Sequence, residues 1–287
     1  GQHLLSLARL GIQNFHIADL DFFELANFNR QVGATLSTLG KSKVEILAAM
    51  ACDINPNIKI TTFPNGITQE NINEFLNDVD LYIDGLDFFV LDIRQKVFQR
   101  CHELQIPAIT AAPLGMGVAY LVFMPGKMTF AEYFGFDPNS PEKNTTKFLI
   151  GLNPNVHHRF YLVDPSTVNF KEKRGPSTII ACNLAAAVVG AEALKILLNR
   201  GKVFAAPWYQ CFDAYRNSLS KGYISGGYRN WLQKLRVALA SKAYSKFEKN
   251  SKENISPSFN NDLEAILDAA KWTPSGDNSQ PWQFEIK

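Results

Sequence analysis

The sequence predicts an α/β protein with a doubly wound, mostly parallel sheet. Two observations favour this fold: helix-like and strand-like segments alternate along residues 2–112, and turn residues separate many of them. In chain order, the predicted elements are helix 2–10, strand 13–18, helix 41–53, strand 58–63, helix 70–77, strand 80–84, helix 89–104 and strand 108–112. Parallel strands need crossovers of this length, and helices on the crossovers would cover both faces of the sheet.

The chain begins in the middle of this pattern. Residues 2–10 carry apolar side chains at helical spacing and are followed by Gly11, yet no strand precedes them. A Rossmann-like fold places a first strand and a glycine-rich turn before such a helix, and Gly1 would be the last glycine of that turn. We therefore expect an internal fragment that lacks its first strand.

The second half of the chain changes character. An extended run at 118–123 is followed by a long irregular stretch from Pro125 to Pro176, whose aromatic residues favour an ordered loop against a partner surface. The small-residue-rich segment 178–198 predicts a long helix beneath the sheet or across a dimer interface. We expect the first domain to span residues 1–225, followed by an amphipathic linker helix with a basic face at 226–255.

Composition excludes some classes of protein. With 46% hydrophobic residues, 20% charged residues and a net charge of +2, the chain has no sign of a dedicated nucleic-acid surface. We find no apolar run near the roughly 18 residues of a membrane span and no signal-peptide pattern, so we expect a cytoplasmic protein without membrane contacts.

The cysteines are expected to be buried structural residues more often than metal ligands or reactive thiols. Cys52, Cys101, Cys182 and Cys211 form no C-x-x-C pair, which argues against a zinc ribbon. Three of them lie in apolar segments, where we expect small buried thiols. Cys182 lies near the start of a helix, where a thiol pKa can be lowered.

Charged residues between 19 and 43 suggest a nucleotide site. Asp19 ends a strand where open α/β sheets bind ligands, and its carboxylate could hold a ribose hydroxyl or simply cap a turn. Arg30 and Lys43 follow and would supply positive charge for a triphosphate. Taken alone, each would be interpreted as a solvated surface charge. We expect Asp21 to be structural.

A second acidic cluster runs from Asp84 to Asp87 after the strand that ends near Ile83. Asp87 could hold Mg²⁺ on the phosphates, since a hard cation prefers carboxylate, water and phosphate oxygens, or it could cap the loop. Arg9 and Arg94 are further candidates for phosphate contacts. The adjacent His157 and His158 would point apart on a regular element, so we do not expect a shared metal there.

These motifs, in order and spacing, resemble the ThiF/MoeB family of adenylyltransferases, relatives of ubiquitin-activating enzymes. The resemblance covers about residues 1–215 and rests on the following segments: Leu10 to Asp21, Asn27 to Gln31, Gly40 to Lys43, Asn55-Pro56 and Asp84 to Asp87. It implies ATP-dependent activation of a carboxylate, often the carboxyl terminus of a small protein or peptide, as an acyl adenylate with release of pyrophosphate. It also implies a homodimer.

The resemblance assigns roles by matching motif positions. Asp19 would bind the ATP ribose and Gly1 would belong to the glycine turn at the nucleotide. Arg30 and Lys43 would hold the phosphates, Asn27 and Gln31 would shape the pocket, and Asp87 would coordinate magnesium. The catalytic set is then Arg30, Lys43 and Asp87.

The chain also departs from the family pattern. The family's zinc-binding cysteine pairs are absent, so no zinc is expected, and Phe88 stands where Asn is frequent. No cysteine lies between Pro125 and Pro176, which indicates adenylation without a thioester step.

Residues 256–287 resemble the beginning of the nitroreductase family, whose matching stretch borders FMN. The positions expected at FMN are Ser275, Asn278, Gln280 and Pro281. This resemblance implies a truncated α+β flavin domain fused to the first domain.

Two alternatives remain open from the sequence. The alternating fold alone would suit an NAD-dependent oxidoreductase, although NAD does not require a triphosphate clamp. A non-catalytic dimerising partner of an activating enzyme is the other, although such partners lose the ATP site.

Overall fold

The computed structural model describes residues 1–156 and 178–250. The predicted FMN positions Ser275, Asn278, Gln280 and Pro281 lie outside the described residues, as do His157 and His158. The same holds for the predicted loop beyond residue 156.

Eight helices and seven strands form the described part of the chain. The helices are α1 (Gln2–Arg9), α2 (Lys43–Ile54), α3 (Ile72–Phe75), α4 (Leu91–Glu103), α5 (Phe130–Phe134), α6 (Pro141–Leu152), α7 (Ile179–Leu197) and α8 (Trp231–Asn250). The strands are β1 (Asn14–Ala18), β2 (Lys59–Phe63), β3 (Tyr82–Asp84), β4 (Ala108–Leu114), β5 (Gly117–Phe123), β6 (Trp208–Asp213) and β7 (Ser218–Tyr223). The alternation predicted up to residue 112 is confirmed, with boundaries that shift by a few residues.

The prediction of a mostly parallel sheet is wrong for the described strands. β1 and β2 form a parallel pair of their own, and the second sheet has the order β3-β4-β5-β6-β7. In that second sheet only β3 and β4 are parallel. The reason is loop length: two residues join β4 to β5 and four join β6 to β7, and such short connections make hairpins, whereas parallel pairing needs a crossover.

Helices cover both faces of the larger sheet, as predicted for a doubly wound fold. Alternate residues of β4 and β5 point to opposite sides. Leu121 and Phe123 pack in one cluster with Phe98 of α4 and Phe130 of α5. Ile109 and Val122 belong to a second cluster, which includes Ala185 and Val189 of α7. A third cluster joins α1 and α2 to the β1–β2 pair.

The irregular stretch predicted after Pro125 contains two helices, α5 and α6, so that prediction is wrong in its described part. The sequence carried signals for both. The Thr129 hydroxyl accepts a hydrogen bond from the Glu132 N–H at 3.1 Å, while the Glu132 carboxylate accepts one from the Thr129 N–H at 2.8 Å. This T-x-x-E pattern is a capping box, and Pro141 occupies the first turn of α6.

Helix α7 corrects the expectation that no apolar run has the length of a membrane span. By length and composition alone, Ile179–Leu197 could cross a membrane, with a mean hydropathy of 1.8. In the structure α7 packs on β4, β5 and α1, as a core helix does. The predicted packing of this helix beneath the sheet is therefore confirmed.

Burial of the cysteines is as expected for Cys101 and Cys211, but Cys52 is exposed. The inward face of α2 is formed by Val44, Leu47 and Ala51. Because successive helical residues are rotated by about 100°, Cys52 points away from that face.

Helix α8 lies within the segment 226–255 that was predicted to be helical, and it packs against α6. The buried Gln233 side chain donates a hydrogen bond to the Ile150 carbonyl at 3.2 Å. A polar residue makes this contact, while Trp231 and Leu239 are exposed.

Candidate active site

Two loops carry the charged residues that the sequence singled out. The Asp19 loop, residues 19–31, follows β1, and the Asp87 loop, residues 85–90, joins β3 to α4. Each loop leaves the carboxyl end of a strand, where α/β sheets bind ligands. Ala18, which ends β1, and Phe88 of the Asp87 loop pack against the same apolar cluster. Both loops therefore border one core.

Asp19 is half-buried at the end of β1. Its N–H donates to the Phe63 carbonyl at 3.3 Å, which continues the β1–β2 pairing, and its Oδ1 accepts a hydrogen bond from the Asp21 N–H at 2.9 Å. Burial raises the pKa of the Asp19 carboxyl, although the hydrogen bond from Asp21 opposes this shift. The turn role considered for Asp19 is thus present, and it uses one of the two carboxylate oxygens.

Lys43 is tied to the Asp19 loop through Asp21. The Lys43 Nζ lies 2.9 Å from Asp21 Oδ2, and the Lys43 N–H donates to the Asp21 carbonyl at 3.0 Å. The Lys43 side chain is 8% exposed, whereas that of Asp21 is 53% exposed. Asp21 therefore fixes the position of Lys43. Sequence reasoning did not connect these two residues, which lie 22 positions apart.

Arg30 is held within its own turn. Its Nη1 donates to the Ala26 carbonyl at 2.9 Å and to Asn29 Oδ1 at 3.2 Å. The Gln2 side chain of α1 donates to the Arg30 carbonyl at 3.0 Å. Burial lowers the pKa of Arg30, while the negative charge of Asp87 acts in the opposite direction. The guanidinium is thus partly desolvated, which strengthens its attraction for an anion.

Asn27 and Gln31 build the turn that presents Arg30. The buried Asn27 side chain accepts a hydrogen bond from the Glu24 N–H at 3.0 Å, and the Asn27 carbonyl accepts from the N–H groups of Arg30 and Gln31. These bonds close a short 3₁₀ turn at Leu25–Asn27. The structure therefore gives Asn27 a local structural role beside the one predicted for it.

Gly1 lies at the start of α1, close to α2. A β-carbon at this position would lie 3.0 Å from Val32 Cγ1 and 3.2 Å from Leu47 Cδ2. The close approach of α1 to its neighbours therefore favours glycine here.

The two aspartates around the Asp87 loop have different surroundings. Asp84 is buried and accepts hydrogen bonds from Arg94 Nε at 2.8 Å and Thr110 Oγ1 at 2.8 Å. Asp87 is exposed, and in residues 1–156 and 178–250 its carboxylate makes no hydrogen bond or ion pair. Of the two carboxylates, only that of Asp87 lacks a partner within the part of the chain that the structure describes.

Arg94 is not a phosphate contact, contrary to one of the expectations from the sequence. Its guanidinium is buried with Asp84, and each side chain is 2% exposed. A signal for this was present: Arg94 shares one face of α4 with Leu91, Val97 and Cys101, all of them buried. Arg9 is exposed at the end of α1.

A cavity of about 630 Å³ opens beside the Asp19 loop. Its size is that of a small-molecule site, but neither Arg30 nor Asp87 lines it. The lining residues are Leu20, Phe22, Gly40, Lys41, Ser42, Glu45, Ile46, Pro64 and Asn65. We therefore locate the site by its charged groups.

Metal ligands in the described part of the chain are sparse. No group of three or more His, Cys, Asp or Glu side chains there could hold a metal ion. A single exposed carboxylate such as Asp87 suits an ion that takes most of its ligands from phosphate and water, as Mg²⁺ does.

Comparison with known proteins gives a family and two relatives. The sequence model of the ThiF family matches residues 1–225. The tRNA threonylcarbamoyladenosine dehydratase of Bacillus subtilis is 32% identical over 107 residues, or 37% of this chain and 41% of that protein. The sulfur carrier protein ThiS adenylyltransferase of Escherichia coli is 28% identical over 121 residues, or 42% of this chain and 47% of that protein. The chain thus spans less than half the length of both relatives.

A solved structure has the same fold. Escherichia coli MccB, crystallised with ATP, aligns with a TM-score of 0.59 at 17% identity, covering 78% of this chain and 60% of that one. This likeness confirms the predicted α/β, Rossmann-like architecture.

Proposed function

The chain belongs to the ThiF family, and we propose that it carries out ATP-dependent adenylation of a carboxylate. The observation that carries the proposal is that the Asp19 and Asp87 loops each follow the carboxyl end of a strand and border one apolar cluster. The first loop carries Arg30, and the second carries an exposed Asp87 carboxylate that has no hydrogen-bond or ion-pair partner among the described residues. Lys43 is held on the first loop by Asp21. Two cations and one exposed carboxylate on loops at the carboxyl ends of strands suit a triphosphate with a divalent ion.

In the reaction, a carboxylate oxygen of the substrate bonds to the α-phosphorus of ATP. The bond between the α-phosphorus and its bridging oxygen to the β-phosphate breaks, and pyrophosphate leaves with the electron pair. This displacement mainly needs in-line positioning and neutralisation of phosphate charge. Arg30 and Lys43 are assigned to the phosphates, Asp19 to the ribose, and Asn27 and Gln31 to the turn that shapes the pocket.

We assign Mg²⁺ to Asp87. The support is that Asp84 is occupied by Arg94 and Thr110, whereas the Asp87 carboxylate is exposed. Bound there with phosphate oxygens and water, Mg²⁺ would neutralise the charge that builds up on the pyrophosphate. The Asp87 carboxylate is the contribution of this chain.

We further propose that the substrate carboxylate is the carboxyl terminus of a small protein or peptide, acting without a cysteine thioester. One relative is named for the sulfur carrier protein ThiS, and the chain has no cysteine between residues 125 and 176. A cytoplasmic homodimer, and a nitroreductase-like segment at residues 256–287 that borders FMN, complete the proposal.

Exchange of radiolabelled pyrophosphate into ATP tests the function, with the full-length protein and the small proteins or peptides encoded beside its gene. We expect carboxylate-dependent exchange that Arg30→Ala abolishes and that Lys59→Ala, a change of an exposed cation at the start of β2, leaves intact. No exchange in the wild-type protein contradicts the proposal. Tight NAD binding without ATP binding would instead support an oxidoreductase.

A further inference from the structure

One buried arginine organises the whole Asp87 loop. Arg94 lies one turn into α4, and its guanidinium is enclosed by the loop. Its Nε donates to Asp84 Oδ2 at 2.8 Å. Its two terminal nitrogens donate to four loop carbonyls, those of Leu86 (2.5 Å), Asp87 (2.9 Å), Phe88 (3.3 Å) and Val90 (3.2 Å).

These contacts use the full donor capacity of the side chain. A guanidinium has five N–H groups, and the Arg94 side chain donates five hydrogen bonds. The Phe148 ring of α6 lies over it, with 4.7 Å between the guanidinium carbon and the ring centroid. Arg94 therefore has no donor left for a nucleotide, and it acts through the loop alone.

Burying an ion pair is weak grounds for expecting a gain in stability, because desolvation offsets most of the attraction. Fixing a backbone path explains the arrangement better. The planar guanidinium presents its donors in a rigid fork, so four carbonyls can be held only if the loop keeps one curvature. Asp87 is one of the four residues held, and its carboxylate is the one exposed to ligand.

We propose that Arg94 is a positioning residue, which fixes the backbone of residues 86–90 so that the Asp87 carboxylate is preorganised for a phosphate-bound divalent ion. The identity of the ligand in this inference rests on the proposed function. The ordering of the loop by Arg94 is independent of the proposed function. A lysine at position 94 would keep the charge opposite Asp84 but lose the fork, so Arg94→Lys separates positioning from charge.

The first readout is hydrogen exchange of the full chain in Arg94→Lys and wild type. The Leu86 N–H is bonded to Asp84 Oδ1 and the Val90 N–H to the Asp87 carbonyl, so both report on the loop. We expect faster exchange in residues 85–90 with β4 and α7 unchanged. Arg100→Lys is the matched control, because Arg100 lies on the same helix, is partly exposed, and bonds to Glu103 and Asn73 rather than to the loop.

The second readout is ATP binding by calorimetry over a series of Mg²⁺ concentrations. Loss of a group that orients a metal ligand weakens metal affinity by about 10- to 100-fold, so we expect the Mg²⁺ concentration for half-maximal ATP binding to rise by about tenfold or more in Arg94→Lys. A purely structural role would lower the melting temperature and leave this concentration unchanged.

The two readouts distinguish a failure of the proposed function from a failure of the positioning role of Arg94. Wild-type protein that binds no ATP would contradict the proposed function, while hydrogen exchange would still test the role of Arg94. The inference would be overturned if residues 85–90 of Arg94→Lys exchanged at the same rates as in the wild type. It would also be overturned if Arg94→Lys bound ATP with an unchanged Mg²⁺ requirement. If Arg94→Lys does not fold, Thr110→Val removes only the hydroxyl that donates to Asp84 at 2.8 Å. It should give a smaller shift in loop exchange, and no shift would overturn the inference.

Discussion

The Asp19 and Asp87 loops carry the two halves of the proposed ATP site, but they are held in different ways. The Asp19 loop is fixed by several separate contacts: Asn27 closes its turn, Gln2 holds the Arg30 carbonyl, and Asp21 pairs with Lys43. The Asp87 loop depends on one buried side chain, Arg94, which reaches four of its carbonyls. Single substitutions in the Asp19 loop should therefore each cost a small part of the folding free energy. Substitution of Arg94 should cost much more, because the Asp87 loop then loses all these contacts at once.

The largest effect is expected from Arg94→Met. The change leaves Asp84 buried without its cation, and breaking a buried pair in this way costs about 3–5 kcal/mol of folding free energy. Urea unfolding measures this loss. Arg100→Met breaks an exposed pair on the same helix and should cost only about 0–1 kcal/mol. Equal losses in the two variants would contradict the asymmetry between the loops.

A smaller effect is expected from Asn27→Ala in the Asp19 loop. The substitution removes the acceptor of the Glu24 N–H, and loss of such a cap costs about 0.5–2 kcal/mol. Because Gln2 and the Asp21–Lys43 pair remain, the loop should stay folded. Unfolding in urea gives the cost, and Asn29→Ala, whose side chain lies in the same turn, provides the comparison. A loss as large as that of Arg94→Met would show that this loop also depends on one residue.

The smallest effect is expected from Asp19→Asn, and it depends on pH. Burial raises the pKa of Asp19 in the folded state above its value in the unfolded chain, so ionisation of this group opposes folding. The stability associated with the protonated form is full below the unfolded pKa and is lost as pH rises through the folded pKa. Asn cannot ionise, so the variant should be more stable than wild type at neutral pH and equal to it in acid. A stability difference that is constant over this pH range would contradict the prediction.

The sequence singled out the charged residues of the two loops, but it did not reveal the contacts that hold them. Asp19 stands out because it follows the end of an apolar strand, and Arg30 and Lys43 gain meaning from their place after it. The Asp21–Lys43 pair and the Arg94 contacts join residues 22 and 10 positions apart through loop geometry, which no local pattern encodes. The antiparallel strands were missed for a related reason: an apolar strand pattern gives no direction. The short connections at residues 115–116 and 214–217 set it for the pairs β4–β5 and β6–β7, whereas β5 and β6 are joined by a long connection.

ATP binding by the wild-type protein and by Asp87→Asn, with and without Mg²⁺, tests the central claim that the two loops form one ATP site. Calorimetry should show Mg²⁺-dependent binding to the wild type. In Asp87→Asn the gain from Mg²⁺ should be lost while the melting temperature is unchanged, since the exposed carboxylate has no partner in the described part of the chain. ATP binding with the same Mg²⁺ dependence in both proteins would contradict the account.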